Sequence, residues 1–215
     1  MKNYLDQIKK NSIPQLHKDL IIGTLLGDSS IKIYGNKACL SFGQGSQNKD
    51  YLFYLFNIMK EYSANPQPTE RKYIDPRYAD KEYCSYSFWT KLSPTFYPFA
   101  KLFMDNTINV NKSVKIVPLC IFELLTPCAL AFWICDDGQY VKRGGVTLCT
   151  DNFELSEILL LKSVLEDKYK LECTIHNKNP EKGYYRIYIS GRSLATLREL
   201  VIEYMHTSMV YKLDK

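Results

Sequence analysis

The predicted secondary-structure elements of this 215-residue chain occur in the same order twice, and this repeat limits the folds open to it. Each copy reads as helix, two strands, helix, two strands, helix, from the spacing of apolar residues and the places of Gly, Asn and Pro. The first copy starts at "LIIGTLLGDSS" and the second at "LTPCALAFWICDDG". The pattern predicts an α+β fold of two similar halves, residues 1–120 and 121–215.

Both copies begin with an apolar helix that carries an aspartate at its C-terminal end. Asp28 has this place in the first copy and Asp137, followed by Gly138 as the expected C-cap, in the second. The C-terminus is the negative end of the helix dipole, where a carboxylate is unfavourable. Two acids at matching places of a repeat therefore indicate a functional role.

The positive charge of the chain lies on the predicted hairpins. The net charge is +5, and the segments 30–49, 70–91, 138–150 and 171–192 carry a larger excess of Lys and Arg than this, so the remainder is net acidic. Alternation along the strands places basic and polar side chains on one sheet face. Such a face suits phosphate and base-edge contacts, although a merely solvated sheet face has a similar composition. The candidate contact residues are Lys32, Tyr34, Lys37, Arg71, Lys72, Arg77, Lys142, Arg143, Thr174, His176, Lys178, Tyr184, Arg186 and Tyr188.

The composition argues against several other classes of protein. The seven cysteines contain no CxxC pair, which argues for a reducing compartment and against a disulfide framework or a zinc site. The longest apolar run is too short for a membrane helix, so a soluble protein is expected. The first residues lack the apolar stretch of a secretory signal. The three histidines are scattered, and the chain has no GxGxxG motif, P-loop or nucleophile elbow.

The two segments "GTLLGDSS" and "LAFWICDDG" resemble the paired motifs of the LAGLIDADG homing endonucleases. The order of elements from about residue 15 to 213 is similar to their fold. "TPCALAFWICDDG" resembles most closely the intron-encoded, single-chain members known from organelles. The first copy departs from the motif at Ser29, where the pattern ends in Gly. Asp136 stands where the first copy has Gly27 and is interpreted as a structural or secondary residue.

The resemblance implies a site at the centre of the molecule. The two motif helices are expected to pack together through small residues four apart, Gly23 with Gly27 and Ala131 with Cys135. Their acids, Asp28 and Asp137, would then lie side by side and would repel each other unless a divalent cation bound between them. Oxygen ligands suit Mg²⁺, with Mn²⁺ as a substitute and Ca²⁺ supporting binding without efficient cleavage. The resemblance also places Lys115 of "KIVP" and Lys212 of "MVYKLDK" in the two active sites, and Gln44 and Thr150 are further candidates near the ends of their hairpins.

The resulting hypothesis is a monomeric, site-specific, Mg²⁺-dependent endonuclease that makes a double-strand break. Two antiparallel sheets are expected to form a saddle along the major groove of double-stranded DNA, over an asymmetric target longer than one turn of about 10 bp. The expected location is a mitochondrion or chloroplast, or otherwise a reducing intracellular compartment. Two alternatives remain open: an intron maturase that binds RNA, and a non-catalytic DNA-binding relic. The presence of both Asp28 and Asp137 argues against the relic.

Overall fold

The predicted repeat is confirmed in the computed structural model, which describes residues 2–74, 82–105 and 114–213. The helices are α1 Lys2–Lys10, α2 Gln15–Leu26, α3 Lys49–Met59, α4 Tyr97–Phe103, α5 Ile121–Leu124, α6 Pro127–Asp137, α7 Leu155–Tyr169 and α8 Leu194–Val201. The strands are β1 Ser30–Tyr34, β2 Lys37–Gly45, β3 Thr69–Ile74, β4 Glu82–Trp89, β5 Met104–Asp105, β6 Val114–Lys115, β7 Gly138–Tyr140, β8 Val146–Leu148, β9 Cys173–Asn179 and β10 Tyr184–Ile189.

The two halves have the same order of elements. The first half runs α2, β1–β2, α3, β3–β4, α4, and the second runs α6, β7–β8, α7, β9–β10, α8. Each half contains one antiparallel four-stranded sheet, in the order β1-β2-β4-β3 or β7-β8-β10-β9. The sequence pattern did not predict α1, α5 or the small β5–β6 sheet. The expected boundary after residue 120 coincides with the start of α5 and stays a prediction.

Glycines at the predicted positions form the two short hairpin turns. Gly35 has φ +61°, and Gly144 and Gly145 have φ +102° and +87°. Side chains other than glycine rarely adopt these angles, so the turns favour glycine at these three positions. The predicted turns are therefore confirmed.

Each sheet has one buried face and one open face. In β10, Ile187 and Ile189 are fully buried, while Arg186 and Tyr188 lie on the other side. In β1, Ile31 is buried between the exposed Ser30 and Lys32. The buried faces pack on α3 in the first half and on α7 in the second, through apolar residues at helical spacing. The open faces are thus the ones predicted to be basic and polar.

Three predicted helices have different ends in the structure. The first motif helix, α2, ends at Leu26 with Gly27 as its C-cap, so Asp28 lies just beyond the helix and not in its last turn. Glycine favours leaving the helix at that point, whereas Asp136 at the same place in α6 lets that helix continue through Asp137. The helix α4 stops before β5 because Met104 pairs with Lys115. Likewise, α8 ends at Val201 and continues as a single 3-10 turn.

Candidate active centre

The two motif helices, α2 and α6, pack against each other at glycines of α2. A Cβ atom placed on Gly23 would lie 2.2 Å from the carbonyl oxygen of Ala129, and one on Gly27 would lie 2.4 Å from the Cβ of Asp136. Distances this short exclude any side chain larger than hydrogen, so the glycines permit the close approach. The prediction for Gly23 and Gly27 is thus confirmed.

The facing residues of α6 differ from those predicted. The atoms nearest the two glycines belong to Ala129, Phe132 and Asp136. Ala131 and Cys135, which were expected on this side, are buried but are not among those nearest atoms. The prediction counted small residues four apart, and the contacting set on α6 includes the larger Phe132 and Asp136.

Three carboxylates meet where the motif helices end. The backbone N–H of Asp28 donates to Oδ2 of Asp136 at 3.1 Å. The side-chain amide of Gln44 donates to Oδ2 of Asp28 at 2.9 Å and to Oδ1 of Asp136 at 3.3 Å. Asp137 follows Asp136 at the end of α6. The structure therefore brings together Asp28, Asp137 and Gln44, and adds Asp136 to them.

The carboxylates of α6 are held in an environment that opposes their ionisation. Burial raises the pKa of Asp137 to about 7, and the nearby Asp28 adds to this rise, while Lys115 and Lys212 act against it. Burial likewise raises the pKa of Asp136 well above its usual range, again helped by Asp28. Like charges at the negative ends of two helices disfavour one another, and a cation would relieve this.

Each half supplies one lysine to the end of its own motif helix, half-buried Lys115 in the first and buried Lys212 in the second. Lys115, on β6, donates to the carbonyl oxygens of Gly27 and Ser29. Lys212 donates to the carbonyl oxygens of Cys135 and Asp136 at 2.5 and 2.7 Å. These bonds satisfy carbonyls that have no partner within the helix and place positive charge at its negative end. Burial lowers the pKa of Lys115, against the raising effect of the three acids.

Gln44 and Thr150 occupy similar places but make different contacts. Gln44 reaches the carboxylates, as described above. Thr150 is 1% exposed, and its hydroxyl donates to the carbonyl oxygen of Tyr185 at 2.6 Å. Thr150 is thus tied to the backbone of β10, which makes the two halves of the centre chemically unequal.

Open cavities flank the acids on both sides. The cavity in the first half, about 570 Å³, is lined by polar groups that include Asp28, Gln44, Asn48 and Arg71. The cavity in the second half, about 650 Å³, is lined by Asp136, Asp137, Gly138, Gln139, Tyr140, Cys149, Tyr211 and Lys212. Sequence reasoning missed Asn48 and Tyr211. The place of Tyr211 beside Lys212 could have indicated the latter.

Most of the predicted contact residues lie on the open sheet faces or in their turns. Exposed in the structure are Lys32, Tyr34, Lys37, Arg71, Lys72, Lys142, Arg143, Thr174, His176, Lys178 and Tyr184. Arg71 and Lys72 are neighbours on an edge strand and so point to opposite faces, with Lys72 paired to Glu82 at 3.6 Å. Arg77 lies outside the described residues.

The contact residues of the second sheet are linked to one another and to an acid. The rings of His176 and Tyr188 stack at 5.3 Å. Arg186 makes a two-point ion pair with Asp151, at 2.9 and 2.6 Å. Alternation predicted the face of Arg186 correctly but could not show this partner, so Arg186 is less free for phosphate than the exposed lysines.

The chain belongs to the LAGLIDADG DNA endonuclease family, whose model matches residues 18–197. It is 31% identical to DNA endonuclease I-ChuI of Chlamydomonas applanata over 94% of this chain and 96% of that protein. It is 37% identical to intron-encoded endonuclease ai4 of Dictyostelium discoideum, over 75% and 98% of the two chains. It is also 29% identical to the cytochrome b mRNA maturase bI2 of Saccharomyces cerevisiae, over 90% of this chain but 46% of the maturase.

Solved structures show the same architecture. The homing endonuclease I-WcaI, bound to its DNA recognition sequence, matches with a TM-score of 0.82 at 26% identity, over 97% of this chain and 90% of that one. The structure of I-DmoI in complex with DNA and Mn matches with a TM-score of 0.52 at 14% identity, over 87% and 97%, and supports the fold alone. Within the described ranges, no helix is long and apolar enough to cross a membrane.

Proposed function

We propose that this chain is a site-specific homing endonuclease that binds a long, asymmetric DNA target and makes a double-strand break by Mg²⁺-dependent hydrolysis. The observation that carries the proposal is the central pairing of α2 and α6. An acid lies at the end of α6 and just beyond the end of α2, and a lysine of the same half caps each helix end. Two such sites, related by the repeat, suit the two strands of a duplex, which are themselves related by local twofold symmetry.

The residues at the centre fit a divalent cation that prefers oxygen. Asp28 and Asp137 would hold it. Burial, and after it the charge of Asp28, raises the pKa of Asp137, and a bound cation would offset both effects. When bound, Mg²⁺ supplies the charge that readies a water for attack and stabilises the departing 3′ oxygen. In the described part of the chain, no group of three or more His, Cys, Asp or Glu side chains is arranged to hold a metal. The remaining ligands would therefore be water and phosphate oxygens of the DNA.

The lysines have a second role in this proposal. A lysine ammonium has three N–H donors, and Lys115 and Lys212 each give two of them to backbone carbonyls at or just beyond the end of a motif helix. The third donor and the positive charge are available to a phosphate oxygen or to the attacking water. Gln44 would hold the Asp28 carboxylate in position from the side of β2.

The open sheet faces would bind the DNA. We infer that halves 1–120 and 121–215 each lay a four-stranded sheet along the major groove as one saddle, and that the exposed basic and polar residues make the phosphate and base contacts. The relatives named as intron-encoded, and as a maturase of cytochrome b mRNA, support an origin in an organellar intron.

Cleavage of a randomised DNA library in Mg²⁺, followed by sequencing of the cut ends, tests this proposal. We expect one long preferred sequence cut on both strands, and no cutting by a chain with Asp28→Asn and Asp137→Asn. Random cutting, or none, contradicts it.

A maturase function is the second candidate, favoured by the likeness to the yeast maturase. It would require tight binding of a structured intron RNA. Absence of DNA cutting, together with a splicing gain when the chain is added to its intron RNA, would support the maturase over the endonuclease.

A further inference from the structure

Asp136 breaks the symmetry of the two motif helices. The matching residue in the first half is Gly27, and a Cβ there would lie 2.4 Å from the Cβ of Asp136. A side chain at both positions therefore cannot fit. The single carboxylate at this place comes from the second half, but it lies over the end of the first motif helix.

The side-chain hydrogen bonds of Asp136 all go to the first half of the centre, whereas its backbone carbonyl oxygen accepts from Lys212 of the second half. One carboxylate oxygen accepts the backbone N–H of Asp28, and the other accepts from Gln44, which also holds the Asp28 carboxylate. Asn48 donates to the amide oxygen of Gln44 at 2.9 Å, which turns the NH₂ group of Gln44 towards the two acids. A continuous chain of hydrogen bonds thus runs from Asn48 through Gln44 to Asp136 and Asp28.

A buried tyrosine lies near Asp136. Tyr51 of α3 is fully buried, and its hydroxyl has no partner in hydrogen-bonding geometry in the described part of the chain. The adjacent carboxylate of Asp136 helps to raise its pKa, after burial itself. A buried donor without a partner is costly. Because Tyr51 gives Asp136 no hydrogen bond, this carboxylate is held by the bonds from Asp28 and Gln44.

The second half is organised differently at the matching positions. Thr150 gives its hydroxyl hydrogen to the carbonyl oxygen of Tyr185. Arg186, which lies near Asp137, is held by Asp151. Neither side chain extends a chain of hydrogen bonds to Asp137 as Asn48 and Gln44 do to Asp28.

We propose that Asp136, although it belongs to the second motif helix, is a positioning residue for the site in the first half. It holds Asp28 through its backbone N–H and fixes Gln44, so the two sites of the endonuclease depend on it unequally. This inference rests on the proposed function, and it predicts that changes at Asp136 affect the cutting of one DNA strand more than the other.

The test measures the two strands separately. The full chain is mixed in excess with a target duplex labelled differently on each strand, Mg²⁺ is added, and both cuts are followed on denaturing gels. Lys115→Gln and Lys212→Gln show which strand each half cuts. We call the ratio of the cleavage rates of the two DNA strands the strand ratio. We expect Asp136→Ala to slow cleavage of the strand cut by the first half by about tenfold relative to cleavage of the other strand, because a displaced acid loses reactive geometry. Asp136→Asn retains an oxygen that can accept the hydrogen bond from Asp28, so cleavage of the same strand should slow clearly less.

Asp19→Asn is the matched control. Asp19 is a buried acid on α2, at the end of that helix away from the centre, so the change removes a buried carboxylate without touching the site. Asp19→Asn should leave the strand ratio unchanged. A general loss of folding would slow cleavage of both strands alike. Should Asp136→Ala not fold, as judged by circular dichroism, the strand ratio of Asp136→Asn decides.

Three outcomes would overturn the inference. An unchanged strand ratio in Asp136→Ala, or equal slowing of both strands, would reject it while leaving the proposed function intact. Absence of cutting by the native chain in Mg²⁺ and in Mn²⁺ would reject the proposed function and this inference together.

Discussion

Lys212 donates a hydrogen bond of 2.7 Å to the backbone carbonyl oxygen of Asp136, and in the first half Lys115 makes the same contact with Gly27, the residue at the matching place. A lysine thus caps each motif helix immediately before its acid. The cap offsets the unfavourable placement of a carboxylate at a helix C-terminus. It also links the stability of the centre to the groups proposed to act on the phosphate.

Replacing a capping lysine should destabilise the fold. Lys212 is 6% exposed, so Lys212→Met leaves two carbonyls at the end of α6 without a donor. We expect a loss of roughly 1–3 kcal/mol in the free energy of unfolding. The control is Lys162→Met, which removes a lysine paired with Glu166 on α7 and should cost no more than about 0.5 kcal/mol. Urea denaturation measures both, and equal losses would contradict the capping role.

The raised pKa of Asp137 gives the metal-free protein a particular pH dependence. Because this pKa rises from 3.8 to about 7 on folding, the folded state binds the proton more tightly than the unfolded state. Ionisation of Asp137 therefore lowers the free energy of unfolding as the pH rises between these two values, with no further change from this group above them.

Asp137→Asn removes that penalty. Above pH 7 and in EDTA, the variant should be more stable than the native chain by about 1–3 kcal/mol, and the advantage should vanish near pH 4. Glu181→Gln, at an exposed turn, is a control of equal charge. Thermal unfolding from pH 4 to pH 8 measures the difference, and parallel curves for native and variant would show that Asp137 is not perturbed.

Removal of either acid should abolish cutting but retain DNA binding. Asp28→Asn and Asp137→Asn keep the size of the side chain and remove the charge proposed to hold the cation, so each should lower cleavage by orders of magnitude. The strands proposed to contact the DNA are not changed. Plasmid cleavage, with nicked and linear products scored separately, and a mobility-shift assay measure the two properties. Cutting at the native rate by both variants would refute the endonuclease proposal.

Metal should matter for cutting and little for folding. EDTA should stop cleavage, while the unfolding midpoint of the DNA-free protein changes little, because no described group of three or more side chains encloses a metal position. Calcium should support specific binding without efficient cutting, since its larger and looser shell positions a water less well. A fall of several degrees in the midpoint on addition of EDTA would indicate a structural metal instead.

The ion pair between Arg186 and Asp151 predicts an order among the basic residues. Lys32 and Arg143 are exposed, so Lys32→Ala and Arg143→Ala should weaken DNA binding and reduce its salt dependence by about one counterion each. Arg186→Ala should have a smaller effect, since Asp151 already holds this guanidinium. Asp151→Asn should strengthen binding by freeing it. Affinities measured at several salt concentrations between roughly 50 and 300 mM decide this. A larger loss in Arg186→Ala than in Lys32→Ala would contradict the order.

The sequence predicted those parts of the fold that local chemistry determines. The turn at Gly35 depends on a single positive backbone angle. The N-terminus of α6 depends on the N-cap Thr126 and on Pro127 in the first turn. Alternation in β1 and β10 was sufficient to assign their buried faces. Each of these features depends on residues close in the chain.

Features that depend on distant residues were not predictable in this way. The contact between Asp28 and Asp136 joins residues 108 positions apart, and the bond from Lys115 to Ser29 joins residues 86 apart. The resemblance placed Lys115 in the site but not on a short strand paired with Met104. The partner of Arg186 and the unsatisfied hydroxyl of Tyr51 result from tertiary packing. The spacing of apolar and polar residues along the chain does not show such contacts.

The tight contact of Gly23 with the backbone of Ala129 has a consequence for engineering. A nuclease assembled from one half of this chain and one half of a relative would join two helix surfaces that did not evolve together, at an interface with no room for a side chain at position 23. Even an alanine at position 23 would push the helices apart and move both acids with them. The transplantable unit is therefore the pair α2 and α6 together, with the outer sheets exchanged around it to change the sequence that is read.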